Sequence, residues 1–331
     1  MGLSGGIKEY VPNEELNYKD LSGKTLAIDM FNSLYQFLSA IRNPDGTLLE
    51  RNGVVVSHLY GILWRYGYLL SLGVKLIFVF DGKPSEMKEE TLKERQIAKE
   101  RITQRMEVAE AEGNEETATR LRRLNSRVDS NIVKTTKELA SLLGIDYIDS
   151  PEEGEAEAIH LVKTGFADYV VTQDYDAIAY NCQNILRNVG VKKDKHYGKI
   201  NLVKSANVLK SMGLSHNQFL YVAFMTGTDY NYGIRNVGIK RALKIAQKSK
   251  TDEDVVSNLI EDGYISSESK DSTLLELRSI VSKFENPNVI DGSAIVRNKF
   301  DKPKLIEYLK KLDFNVDRFM PVFDEIEEIM N

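Results

Sequence analysis

The sequence holds one cysteine, Cys182, in 331 residues, so no disulfide can close within the chain and a reducing compartment is expected. No apolar run approaches the roughly 20 residues that a membrane span needs. Met1-Gly2 is followed by Gly6 where a myristoylation signal requires Ser or Thr, and no basic leader precedes an apolar stretch. These absences lead to the expectation of a soluble cytoplasmic protein with no membrane partner. Internal repeats and low-complexity segments are missing as well. Excess charge of one sign is also scarce: 49 acidic and 44 basic residues leave a net −5, which says little about partners because local charge decides the field at a site. With 42% hydrophobic residues the chain can bury a sizeable core.

What the sequence does contain is a stretch dense in paired acids, SPEEGEAEAIHLVKTGFADYVVTQDYD, from Ser150 to Asp176. Glu153 and Glu155 form one pair, Asp174 and Asp176 the other. Between them the spacing predicts a helix from Glu155 to Lys163 and a strand from Tyr169 to Thr172. Two further apolar runs end in a carboxylate, Thr25 to Ile28 before Asp29 and Leu76 to Phe80 before Asp81. Short continuous runs of this kind suit strands buried on both faces of a parallel sheet, and open α/β sheets bind ligands beyond the carboxyl ends of their strands. Helical patterns between the runs, at Phe31 to Ile41, Val56 to Leu72 and Asn131 to Leu143, give the βαβ alternation of an α/β fold with a mostly parallel central sheet flanked by helices. Taken singly, Asp29 reads as a helix cap. Taken together, the acids would pool negative charge that does not persist without cations.

Two segments differ from the rest. Residues 83–127 carry 11 basic and 10 acidic residues with few large apolar ones, and break at Gly113-Asn114. A solvated helical pair is one reading. A cover over the acidic crevice that holds a polyanion is the other, with Lys88 and Arg95 two helical turns apart and able to face the site. Residues 227–246, GTDYNYGIRNVGIKRALKIA, combine glycines at Gly227, Gly233 and Gly238 with Lys240 and Arg241 in a helix's first turn. Cations there oppose the macrodipole, so contacts to phosphate explain them better. Little pattern is found in residues 1–24. The lysine-rich segment Arg187 to Lys210 reads as solvated surface, and the tail as packing or surface.

Adding Asp229 makes seven carboxylates, with no histidine or cysteine cluster beside them. All-oxygen ligation suits Mg²⁺ or Mn²⁺, and two such ions about 4 Å apart can clamp an in-line phosphodiester displacement. A phosphodiester hydrolase is the economical reading.

The stretches IDMFNSLYQFLSAIR, VFDGKPSEMKEETLKER, SPEEGEAEA, TQDYDAI and GTDYNYGIRNVGIKRAL, in that order, resemble the flap endonucleases of the structure-specific 5′ nuclease family, nearest their archaeal branch. The resemblance covers the whole chain as a single nuclease domain. It implies that Asp29, Asp81, Glu153, Glu155, Asp174, Asp176 and Asp229 are ligands of two Mg²⁺ ions, for which Mn²⁺ may substitute. It also implies that Lys88 and Arg95 contact the scissile phosphate, and that residues 83–127 are the helical arch. Tyr35 matches an aromatic that stacks on a base, Arg42 and Arg65 match duplex contacts, and Gly2 matches an N-terminus near the active site. Residues 227–246 match a helix–turn–helix variant that grips duplex DNA, often around K⁺. The implied activity is cleavage of branched DNA with a 5′ flap, with 5′–3′ exonuclease activity, in replication and repair. A monomer in a prokaryotic cytoplasm is expected.

Two departures stand out. Asn236 replaces the usual glycine of the duplex-gripping turn, a change that left-handed backbone tolerates. No glutamine occurs after Ala294, so residues 300–331 hold no recognisable sliding-clamp peptide, and a clamp partner is not assumed. A four-way-junction resolvase, a plain exonuclease and a catalytically silent DNA-binding protein are the alternatives. A phosphatase built on Asp174-Tyr175-Asp176 is weaker, because the downstream Thr of that motif is absent.

Overall fold

The computed structural model describes residues 6–190, 192–193 and 196–330. Gly2 lies outside them. The central sheet is built from β1 (Glu14–Leu16), β2 (Thr25–Asp29), β3 (Lys75–Phe80), β4 (Asp146–Asp149), β5 (Tyr169–Val171), β6 (Asn184–Arg187) and β7 (Ile200–Lys204). Its order is β1-β7-β6-β5-β2-β3-β4. Five neighbours from β6 to β4 run parallel, while β7 and β1 add antiparallel to one edge. The sheet is therefore mostly parallel, as the apolar runs require.

Thirteen helices surround it among the described residues: α1 (Met30–Ala40), α2 (Ser57–Leu70), α3 (Glu89–Ala111), α4 (Glu115–Leu124), α5 (Ser130–Leu142), α6 (Gly154–Lys163), α7 (Ser205–Met212), α8 (His216–Thr226), α9 (Ile239–Lys248), α10 (Asp252–Glu261), α11 (Lys270–Glu285), α12 (Lys302–Lys311) and α13 (Met320–Met330). None is long and apolar enough to cross a membrane. The strands alternate between two cores. Leu26, Ile28, Phe78 and Phe80 pack with residues of α1, α2, α5, α12 and α13. Ala27, Ile77, Val79 and Val170 pack on the opposite face with α6, α8, α9, α10 and α11. A period of two along each strand, buried on both sides, produces the unbroken apolar runs.

Two expectations are corrected. Within Arg187 to Lys210, Ile200, Val203 and Val208 are buried, and β7 lies between β1 and β6. The lysines at its ends reach outward, Lys199 to Glu15 and Lys204 to Glu14, and mask the short run Ile200-Asn201-Leu202-Val203, of which three residues are apolar. Residues 1–24 contribute the edge strand β1, paired from Glu14↔Leu202 to Leu16↔Ile200. Three residues are too few to display a period.

Residues 83–127 project as α3 against α4, turning at Gly113, with Asn114 capping α4 by accepting from the Thr117 N–H. Arg122 to Glu110 and Asn125 to Thr103 tie the pair together. In α3 only Ala109 is buried, so packing contributes little to holding this element.

Candidate active site

Four connections leave the carboxyl edge of the parallel strands, and each carries acid. Asp29 ends β2 and caps α1, accepting from the Asn32 N–H at 3.1 Å. Asp81 follows β3, and its Oδ1 accepts from the Gly154 N–H at 2.7 Å. Glu153 and Glu155 sit at the start of α6, where the macrodipole favours negative charge. Asp174 and Asp176 follow β5. The Asp174 N–H donates to Thr172 Oγ1 at 3.1 Å, and the Asp176 N–H to Asp174 Oδ1 at 3.2 Å. Asp229 arrives from the opposite side, just beyond α8.

Crowding of these groups shows in their proton affinities. Burial, then repulsion by Asp81 and Asp174, pushes the Asp29 carboxyl up to about 7. Burial raises Asp81 to about 6, against the pull of its Gly154 hydrogen bond. Asp176 rises to about 8 through burial and the neighbouring Asp174 and Asp229. Burial drives Glu155 well above the carboxylate range, with Asp174, Asp29 and Asp176 adding to it. Asp229 behaves oppositely. Burial pushes it up, but Lys88 and then Arg95 pull it below its ordinary value.

The two predicted cations meet at Asp229. Lys88 Nζ stands 3.1 Å from Asp229 Oδ2 and also donates to Glu153 Oε2, while Arg95 Nη2 lies 2.6 Å from Asp229 Oδ1. Burial disfavours the Lys88 charge, yet Glu153, Tyr230 and Asp229 more than restore it, and its proton is held more tightly than usual. Among the described residues no three acids close around one point as a ready-made cage. Instead, the acids line an open crevice with Lys88 among them.

Other predicted contacts divide. Tyr35 is 39% exposed and carries Lys99 5.2 Å from its ring centroid. Gly227 and Gly233 both have positive φ and press backbone on backbone: a Cβ on Gly233 would stand 2.5 Å from the Gly227 nitrogen. Gly238 precedes α9 in open space, and Lys240 is exposed. Arg241 donates to the Asn236 carbonyl at 2.5 Å and lies over Tyr264. Asn236 adopts φ 64, the left-handed backbone anticipated for it.

Arg42 and Arg65, matched by resemblance to duplex contacts, both make contacts within the protein. Arg42 donates to the Leu38 and Gly46 carbonyls and to Ser126, tying its own loop to the end of α4. Arg65 donates to Gln36 and lies 4.5 Å from the Phe37 ring centroid. Each guanidinium therefore has at least one partner within the protein, which a count of basic residues could not reveal.

Several supporting residues had no sequence signal. Thr172 donates to Glu155 Oε1 at 3.0 Å. Arg187 reaches the Gln173 carbonyl and covers the Tyr175 ring at 3.8 Å, bracing the loop of the second acid pair. Tyr230, paired with the Tyr180 hydroxyl at 2.6 Å, lies under the Lys88 ammonium at 5.3 Å. Arg187 ends β6, whereas Thr172 and Tyr230 lie in the loops that follow β5 and α8.

Known proteins resemble this chain in sequence and in fold. The XPG N-terminal domain matches residues 1–102 and the XPG I-region residues 144–229. Flap endonuclease 1 of Methanosarcina barkeri is 37% identical over 98% of this chain and 95% of its own length. The solved flap endonuclease-1 from Methanococcus jannaschii superposes with a TM-score of 0.72 at 30% identity, covering 98% of both chains. The Holliday junction-resolving enzyme GEN1, solved with product DNA and a Mg²⁺ ion, has a TM-score of 0.67 at 21% identity over 98% of this chain and 78% of its own. That last likeness concerns the fold alone.

Proposed function

The chain belongs to the flap endonucleases, XPG-family 5′ nucleases that act on flap DNA, and from that premise we propose that its acidic crevice is a Mg²⁺-dependent phosphodiesterase centre. The observation that carries the proposal is the pooling of six carboxylates at one sheet edge with Asp229 beside them, four of the six raised by burial and mutual repulsion. Such a donor set fits hard divalent cations. Mg²⁺ keeps several waters, so an open crevice suits it better than a closed cage. Asp29, Asp81, Glu153, Glu155, Asp174, Asp176 and Asp229 would hold two ions. When bound, they supply Lewis-acid neutralisation of the attacking and leaving oxygens of an in-line displacement.

The protein's own groups do the rest. Thr172 orients Glu155, and the Gly154 N–H fixes one oxygen of Asp81. Glu153 and Asp229 hold the Lys88 ammonium beside the acids, over the Tyr230 ring. An incoming phosphodiester can take Lys88 and Arg95 from these carboxylates and receive two cations already directed at the reaction centre. Residues 83–127 act as the arch for the 5′ single strand. The turn between α8 and α9 grips duplex phosphate through backbone N–H groups, Lys240 and Arg241, with K⁺ as an accessory ion.

An end-labelled 5′-flap duplex, compared with single-stranded, blunt and four-way-junction DNA in Mg²⁺ and in EDTA, tests this. Release of the flap near the junction, only in Mg²⁺ and faster than cutting of the controls, is expected. Equal cleavage in EDTA would remove the metal from the mechanism. Duplex contacts are checked separately. Lys240→Ala with Arg241→Ala should weaken duplex binding and lessen the slope of log K against log salt by about 0.9 for each phosphate no longer neutralised. An unchanged slope would place these side chains off the phosphate track.

A further inference from the structure

A cavity of about 560 Å³ lies between α3 and the loop that follows α8, immediately beside Asp229. Its volume falls within the roughly 300–1,000 Å³ typical of sites that enclose small molecules. Arg95 and Arg101 line it from α3, together with Ile97, and Tyr232 lines it from the loop. Ile97 is 47% and Tyr232 61% exposed. On α3 the lining residues recur three and four positions apart, so one helix face is turned to the cavity. Glu94 is also on that face and lines the cavity with Tyr232.

We propose that this cavity is a nucleobase subsite, in which one base of the single-stranded flap stacks on Tyr232 while Arg95 and Arg101 hold the adjoining phosphates. It rests on the flap-cleaving reading and deepens it. The chemistry commits to a single-stranded nucleotide. An exposed aromatic supplies a face that any unstacked base can cover, and cations along one wall follow the backbone. A duplex hides its base faces, and an acidic peptide has no use for the aromatic. The subsite is separate from Tyr35, whose pocket is lined by Asn32, Gln36, Ser39, Gln173 and Asn188. Arg95 links the subsite to the reaction centre, because the guanidinium that lines the cavity also touches Asp229. Occupancy by a base would therefore fix how far along the flap strand the reacting phosphate sits.

Tyr232→Ala should lower kcat/KM for an intact flap about tenfold, mainly through KM, whereas Tyr232→Phe should retain it. Moving a single abasic residue along the flap should locate one position where the wild type loses the same factor and Tyr232→Ala loses nothing further. In parallel, 2-aminopurine at that position should be quenched on binding to Asp176→Asn protein and not to the same protein also carrying Tyr232→Ala. Cleavage of intact flaps by Tyr232→Ala at the wild-type rate would overturn the proposal. So would an undiminished Tyr232→Ala defect at every abasic position, or quenching that survives the double substitution. Failure of the wild type to cut any flap would instead strike the reading on which the subsite rests.

Discussion

Asp176→Asn is expected to abolish flap cleavage while making the metal-free protein more stable at neutral pH. The two effects have one cause. Asp176 is buried among like charges and its carboxyl is raised to about 8, with burial first and Asp174 next. Asp29 and Asp81, raised to about 7 and about 6, share the strain. In the unfolded chain an aspartate titrates near 3.9. Below about pH 4 both states hold these protons, and the raised values have no consequence for stability. As the pH rises from about 4 to about 8, the unfolded state has released protons that the folded state still binds, so stability falls. The metal-free melting temperature should therefore be lower at pH 8 than at pH 5.5, and Mg²⁺ should offset much of the difference. Asparagine keeps the shape of the aspartate and removes one charge, so the variant should melt a few degrees higher than wild type at pH 8 in EDTA. Its cleavage rate should drop by more than about a thousandfold, since electrostatic support of a developing phosphoryl charge is worth several kcal/mol. Differential scanning calorimetry in EDTA, paired with single-turnover cleavage in Mg²⁺, checks both parts. A variant that melts lower than wild type in EDTA would show that Asp176 is not under repulsion.

Gly82→Ala is expected to damage activity and stability together. A Cβ at Gly82 would stand 2.0 Å from the Ser150 carbonyl oxygen and 2.5 Å from that of Pro151, both backbone atoms that no rotamer change can move aside. The same approach carries two hydrogen bonds, Gly82 N–H to the Glu152 carbonyl at 2.7 Å and Lys83 N–H to the Pro151 carbonyl at 3.2 Å. These bonds hold the β3 connection, with Asp81, against the β4 connection, with Glu153. Prising them apart separates two members of the acid crevice, and a displacement of about 1 Å at a reaction centre can cost about a hundredfold in rate. The melting temperature should fall as well, because the forced shift breaks this backbone pairing. Gly238→Ala serves as the comparison. No atom lies within 4 Å of the Cβ position there, so its melting temperature should stay near wild type. Normal cleavage by Gly82→Ala would mean that the two connections are free to separate without moving the acids.

The parallel strands were legible because they are buried on both faces. Leu26, Ala27 and Ile28 must all be apolar, and the run must stop where the chain emerges at Asp29. Burial on both sides, a property of the sheet, is thereby written into consecutive residues. The acids were legible for a related reason: an aspartate directly after such a run can only lie at the carboxyl edge. The internal partners of Arg42 and Arg65 were not legible, because charge says nothing of which groups a folded chain offers. Folding brings the first to Leu38, Gly46 and Ser126, and the second to Gln36 and Phe37.

By itself, then, the sequence determined the α/β class, the carboxylates at the strand ends, the helical pair between residues 83 and 127, and the family to which all of these belong. Those are local properties, set by apolar period, by chain order and by side-chain chemistry. Tertiary structure alone decided that Lys88 and Arg95 converge on Asp229 and that Thr172, Arg187 and Tyr230 brace the acids. It also decided that Tyr232 faces a cavity shared with α3. Each of these pairs residues from separate elements, and only the packing of both cores against one sheet sets the distance between them.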